Sequence, residues 1–146
     1  MAYGYNGKIL HLDLTRREFQ VEQPPESFYR EWLGGSALAL TYIYRQTSPE
    51  VDALDPRNTL VLASSVITGA PLAGLSRLTV AAKSPLTGCI GDSQCGGYFP
   101  VEFKFAGFDC LVVSGKSKEP VYLWINEGEY QLRPAGHLWG RTTGEV

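Results

Sequence analysis

Short apolar runs closed by glycine or proline limit most strongly how this chain can fold. TLVLASSVITG, RLTVAAKS, CLVVSG and PVYLWIN follow one another between residues 59 and 126. Each has strand length, and the branched, continuous character of TLVLAS predicts a strand buried on both faces. Glu127-Gly128 separates PVYLWIN from EYQLRPA and predicts a two-residue hairpin turn of the type I′ kind. At the N-terminus GKILHLDLT alternates, with Ile9, His11 and Asp13 on one side and Lys8, Leu10, Leu12 and Leu14 on the other. That pattern predicts a half-buried strand, hairpin-paired with REFQVEQ through Thr15-Arg16-Arg17. Pro24-Pro25 closes the hairpin, because proline cannot donate to a sheet ladder.

Helices are few. ESFYREWLGG places Phe28, Trp32 and Leu33 on one apolar face. Gly34-Gly35 interrupts, and a second helix is expected over 36–45 with Ser36 as its N-cap. QTSPEVDALDPRN reads as a polar loop, and PVEFKFAGFD as a single helical turn. Helices kept apart from hairpins and strands predict an α+β domain with mixed β-sheets and few short helices.

A length of 146 residues suits one domain with a real core. Net charge is -2, so no electrostatic footprint for nucleic acid is visible. No segment reaches the roughly 18 apolar residues of a membrane-spanning helix. MAYGYNGKILHLDL lacks the charged start and apolar centre of a secretory signal, so a soluble, cytoplasmic protein is expected. The three cysteines, Cys89, Cys95 and Cys110, form no disulfide framework or familiar metal spacing, and are expected to be small buried hydrophobes. His11 and His137 have no evident partner, and Glu102, Asp109 and Asp92 isolate no acid–base pair. Glu22, Glu26, Glu31 and Glu50 read as solvated surface. HLWGRTTGEV has the look of a helix about to begin, with Thr142 or Thr143 as its N-cap, so the chain is expected to be part of a longer protein.

The stretch SPLTGCIGDSQCGGYF, residues 84–99, holds four glycines and almost no charge. Together with APLAGLSRLTV it makes three turns rich in glycine or proline, APLAGLS, SPLTG and CGGYF, each following a buried run. Such turns can gather at one edge of a sheet. Glycine lets backbone approach a ligand and point N–H groups at it. Arg77 is the one cation in the first turn, and a guanidinium fork suits phosphate. These residue types describe a site for a flat, phosphate-bearing cofactor, against the simpler reading of tight turns. Gly34-Gly35 is read equally as an anion-attracting helix start or as a break between helices.

RLTVAAKSPLTG, GGYF at 96–99 and EFKFAGFDCLVVSGK resemble the N-terminal domain of the aldehyde ferredoxin oxidoreductase family. GKILHLDLT, WLGG at 32–35, PLAG and HLWG resemble it in the same order, so the likeness spans nearly the whole chain. It implies a β-rich base carrying a tungsten or molybdenum bis-pterin cofactor (tungstopterin or molybdopterin) whose metal is held by pterin dithiolenes. It implies oxidation of aldehydes to carboxylic acids, with electrons passing through a [4Fe-4S] cluster to ferredoxin. Arg77 matches the arginine that contacts a pterin phosphate. Gly96 and Gly97 match the glycine pair that approaches the pterin. Gln94 falls where many members have asparagine, and its backbone carbonyl would help hold a magnesium ion (Mg) bridging the pterin phosphates. Pro100 stands where a small residue is usual.

The cysteines that bind the cluster in this family lie in downstream domains, as do the acid–base groups and the substrate channel. Residues 1–146 are therefore expected to be the N-terminal part of the pterin-binding domain, inactive alone. The alternative is a non-catalytic, degenerate or standalone pterin-binding module. Apolar surface left uncovered is expected to make the chain a homo-oligomer.

Overall fold

The computed structural model describes residues 4–146. Its core is a six-stranded sheet in the order β2-β1-β6-β3-β4-β5, and a separate two-stranded sheet, β7-β8, packs against one side. The strands are β1 (Ile9–Asp13), β2 (Glu18–Glu22), β3 (Leu60–Ser64), β4 (Leu78–Lys83), β5 (Ile90–Cys95), β6 (Cys110–Ser114), β7 (Val121–Asn126) and β8 (Glu129–Pro134). Three helices, α1 (Glu26–Trp32), α2 (Gly35–Gln46) and α3 (Phe99–Phe105), complete the order. β1 and β6 run parallel and every other pairing is antiparallel, so the sheet is mixed and the domain is α+β.

Alternation along the strands builds two apolar layers. Ile9, Val61, Ala63, Ala81, Cys110 and Val112 face α2, where Leu38, Ala39, Tyr42 and Ile43 close over them. Leu10, Leu12, Leu78 and Leu111 face the other way, against Phe103 of α3, Phe108 and the inner side of the β7-β8 hairpin. Glu127 and Gly128 both have positive φ (49° and 83°), as a type I′ turn requires.

Four expectations need correction. β1 is more buried than a half-buried strand: Leu10 and Leu12 on one face and Ile9 on the other are all buried, because it lies between β2 and β6, and only His11 and Asp13 stay half-buried. Helix α2 begins at Gly35, and Ser36 sits inside its first turn, where the hydroxyl donates to the Asp92 carboxylate at 2.6 Å instead of capping the helix. In place of a single helical turn, the last residue of GGYF opens the seven-residue helix α3, with Pro100 in its first turn where a missing N–H costs nothing. Strand β5 was not anticipated at all, since IGDSQC carries one large apolar residue. Its shape comes from pairing with β4 along its whole length.

Candidate functional site

Pairing of β4 with β5 brings two distant turns together. Leu78 pairs with Cys95, so Arg77 and Gly96 lie side by side just beyond the strand ends. The Ser76 hydroxyl donates to the Gly97 carbonyl and fastens one turn to the other. A Cβ at Gly96 would come within 3.1 Å of Arg77 Nη1 and 3.3 Å of the Ser76 carbonyl oxygen. A side chain there would displace the guanidinium. Gly97 has φ 83° and open space around it. Arg77, Gln94, Gly96 and Gly97 are all exposed. Among the described residues the Arg77 guanidinium has no ion pair or side-chain hydrogen bond, so its donors stand free.

Gln94 reaches this ledge through its backbone. Ser84 N–H donates to the Cys89 carbonyl at 2.7 Å, which makes that pair a hydrogen-bonded one. Bonded and non-bonded pairs alternate along an antiparallel ladder. The register therefore leaves Ile90, Asp92 and Gln94 at non-bonded positions, opposite Lys83, Ala81 and Thr79. Their N–H and C=O groups point away from β4, and β5 is the last strand of the sheet. The Gln94 carbonyl thus faces the open edge, beside the Arg77–Gly96 pair.

The three turns do not gather at one edge. The turn ending at Arg77 and the CGGYF turn meet, but SPLTG is the hairpin turn between β4 and β5 and lies at their opposite end. There Lys83 Nζ donates to the Pro49 and Val51 carbonyls. Gly34 answers its own question. A Cβ would sit 2.3 Å from the Ser64 carbonyl oxygen, because Gly34 bridges to Ser65. The glycine permits that close crossing, which favours the helix-break reading.

Several other side chains differ from expectation in their surroundings or partners. Cys89 and Cys95 are exposed at the two ends of β5, not buried, because that edge strand covers no core. Cys110 is buried as expected, and its burial pushes the thiol well up. His11 has a partner: its Nε2 lies 2.8 Å from Glu22 Oε2, which also accepts the Tyr42 hydroxyl at 2.8 Å. Glu22 is therefore not simply solvated. Burial, then that carboxylate, raises the Tyr42 hydroxyl. Thr142 N–H and hydroxyl both donate to the Glu145 carboxylate at 2.8 Å, and residues 143–145 form a turn rather than the start of the expected helix.

Behind the ledge lies a buried charged cluster. Asp109 accepts the N–H groups of Asn6 and Gly7 at 2.9 and 2.7 Å. Lys104 Nζ, in a residue only 1% exposed, lies 4.0 Å from Asp109 Oδ1 and donates to the Ser65 carbonyl. Burial lowers the Lys104 ammonium, and Asp109 offsets part of that shift. Tyr29 faces the same carboxylate, and burial first, then the Asp109 charge, raises its hydroxyl.

An exposed, unpaired guanidinium thus lies beside two glycines at the open edge of a mixed sheet. Residues 9–146 match the family model "Aldehyde ferredoxin oxidoreductase, N-terminal domain". The chain belongs to the aldehyde ferredoxin oxidoreductase family, as its N-terminal domain. It is 38% identical over 144 residues to the tungsten-containing aldehyde ferredoxin oxidoreductase of Pyrococcus furiosus, covering 99% of this chain and 24% of that protein. The Thermococcus kodakarensis enzyme of the same name gives 38% over the same shares. The active-site complex BamBC of benzoyl coenzyme A reductase, solved with 1,5-dienoyl-CoA, superposes with a TM-score of 0.94 at 33% identity, over 99% of this chain and 22% of that one. The chain thus spans about a quarter of the length of the relatives it matches. No helix among the described residues is long and apolar enough to cross a membrane.

Proposed function

We propose that this chain is the cofactor-binding base of an oxidoreductase that carries a tungsten or molybdenum bis-pterin and oxidises aldehydes to carboxylic acids. The observation that carries the reading is the free Arg77 guanidinium held against Gly96, next to the outward Gln94 carbonyl. Arg77 would take a pterin phosphate through its forked donors. Gly96 and Gly97 would let the planar ring system lie on bare backbone. The Gln94 carbonyl offers an oxygen ligand of the kind magnesium accepts between phosphates. Bound there, the metal–pterin group supplies the two-electron redox step, and the protein supplies binding and orientation.

The rest of the protein would supply the substrate pocket, the [4Fe-4S] cluster and the surface that meets ferredoxin, in the cytoplasm. Tungsten in the names of the 38% identical relatives supports tungsten over molybdenum. Exposed Leu72, Tyr98, Phe99 and Trp139 support self-association, which light scattering reads directly.

Elemental analysis of the protein purified from its native source tests the reading. The expected result is about one tungsten or molybdenum with about four irons per chain. Absence of both metals would overturn it and leave a non-catalytic pterin-binding module. The BamBC likeness keeps one second reading open, an aromatic acyl-CoA thioester as substrate. Turnover of simple aldehydes with reduction of a viologen dye separates the two.

A further inference from the structure

The segment carrying Arg77 is a loop pinned at its neck. Residues 71–74 are exposed, whereas Thr68 is 3% exposed. The Thr68 hydroxyl accepts the Ser65 N–H at 3.0 Å and donates to the Arg77 carbonyl at 2.9 Å. One hydroxyl therefore joins the two ends of the loop, at the backbone carbonyl of Arg77 itself.

Ser65 is itself held from behind. Its carbonyl accepts the Thr68 N–H at 3.1 Å and the Lys104 ammonium. Lys104 belongs to α3, which starts directly after the Gly96-Gly97 ledge. The same helix packs on the loop's first residue, where a Cβ at Gly69 would meet the Phe105 ring at 3.3 Å. The relay Lys104–Ser65–Thr68–Arg77 thus links the helix after the glycine ledge to the arginine beside it. The Ser76–Gly97 bond closes the circuit at the surface. A cation this deeply buried is costly, and Asp109 at 4.0 Å offsets only part of that cost. A residue placed only for packing needs neither the charge nor the carbonyl contact.

We propose that Thr68, braced by Lys104, is a positioning residue that fixes the Arg77 guanidinium against the Gly96-Gly97 ledge, so that the phosphate of the cofactor meets a preset fork. Thr68 touches no ligand and acts through Arg77. This inference rests on the pterin reading above.

The test uses the full-length protein loaded with tungsten and follows tungsten retained through dialysis, with circular dichroism reporting the folded fraction. Thr68→Val and Thr68→Ala remove the hydroxyl, and Thr68→Ser restores it. The valine and alanine variants are expected to lose tungsten roughly fivefold to tenfold faster than wild type, and the serine variant to stay within about twofold. If Thr68 acts through Arg77, Thr68→Val adds nothing to the loss already caused by Arg77→Ala. Retention at the wild-type rate in both hydroxyl-free variants overturns the proposal, as does a loss that adds in full to that of Arg77→Ala. Fast loss in Arg77→Ala with normal retention in Thr68→Val overturns the positioning role alone. Normal retention in Arg77→Ala overturns the pterin reading and this inference with it. Should the variants at 68 not fold, Lys104→Met is read on the same assay and by the same comparison with Arg77→Ala.

Discussion

Strands β4 and β5 pair in register from Leu78↔Cys95 to Lys83↔Ile90, yet they live in different surroundings. β4 has β3 on its other side, and Leu78, Thr79 and Ala81 are buried in it. Among the described residues β5 has no strand beyond it, and it holds no fully buried residue. The side chains of β4 are thus chosen by packing. Those of β5 answer to no packing demand, so its small residues, and the two glycines that follow, need another reason. The proposed ledge for a flat ligand would supply one. On that reading stability and binding are divided between neighbouring backbones, and substitutions can pull them apart.

The strongest way to break that division is from the buried side. Asp109→Ala would leave the Lys104 ammonium buried without its counter-charge and the Asn6 and Gly7 N–H groups without an acceptor. A loss of about 3–5 kcal/mol is expected in urea unfolding, since an uncompensated buried charge is among the costliest changes a core can suffer. A loss below about 1 kcal/mol would mean that the cluster contributes little to holding the fold.

Across the β4–β5 pair the contrast can be measured directly. Leu78 is 1% exposed, and Leu78→Ala is expected to cost about 2–5 kcal/mol through lost burial and a residual cavity. Its partner Cys95 is exposed, and Cys95→Ala is expected to stay within about 0.5 kcal/mol. Equal costs at the two positions would show that β5 is covered after all.

How much of this could be read from the chain follows from the same contrast. The central strands announced themselves, because branched apolar runs such as TLVLAS and CLVVS have few other fates, but β3 is fully buried on one face only, with Leu60 exposed and Leu62 half-buried on the other. Glu127-Gly128 announced its turn, because positive φ at both positions restricts the choice of residues. β5 did not, since a strand held by pairing and exposed on both faces leaves no apolar period. Missing it also misplaced SPLTG, which is a hairpin turn only if a strand follows. Arg77 and Gly96-Gly97 were legible as residue types and by family likeness. Their adjacency was not, because it depends on the β4–β5 register. The Lys104–Asp109 cluster was invisible for a similar reason: its partners come from Asn6–Gly7 and Ser65, far away in sequence.

Alkaline pH offers a smaller probe of the buried side. Burial holds the Lys104 ammonium below its ordinary value of 10.5. Below the folded-state value the group is charged in both states, and the whole cost of burying it is present. Between that depressed value and 10.5 the unfolded chain binds more protons than the folded one, so this group makes stability rise with pH. Lys104→Met removes the titrating group. The stability of wild type relative to Lys104→Met is therefore expected to rise across that window, read from urea midpoints at a series of pH values. A flat or falling difference would show that the ammonium is not held down by burial.

The smallest stability effect is expected at the ledge itself. Gly96 has no positive φ, so alanine is tolerated by its backbone, and the nearest obstacle to its methyl group is the end of the flexible Arg77 side chain. Gly96→Ala should move the unfolding free energy by no more than about 1 kcal/mol. The guanidinium must nevertheless shift by a few tenths of an ångström from the place where the structure holds it, and the ledge gains a methyl group where a planar ligand would lie. Tungsten content of the full-length Gly96→Ala protein is therefore expected to fall while its urea midpoint barely moves. Full tungsten content would show that the ligand does not rest on this glycine. A midpoint shift as large as that of Leu78→Ala would show that the ledge is held by packing, and the division between the two strands would be lost.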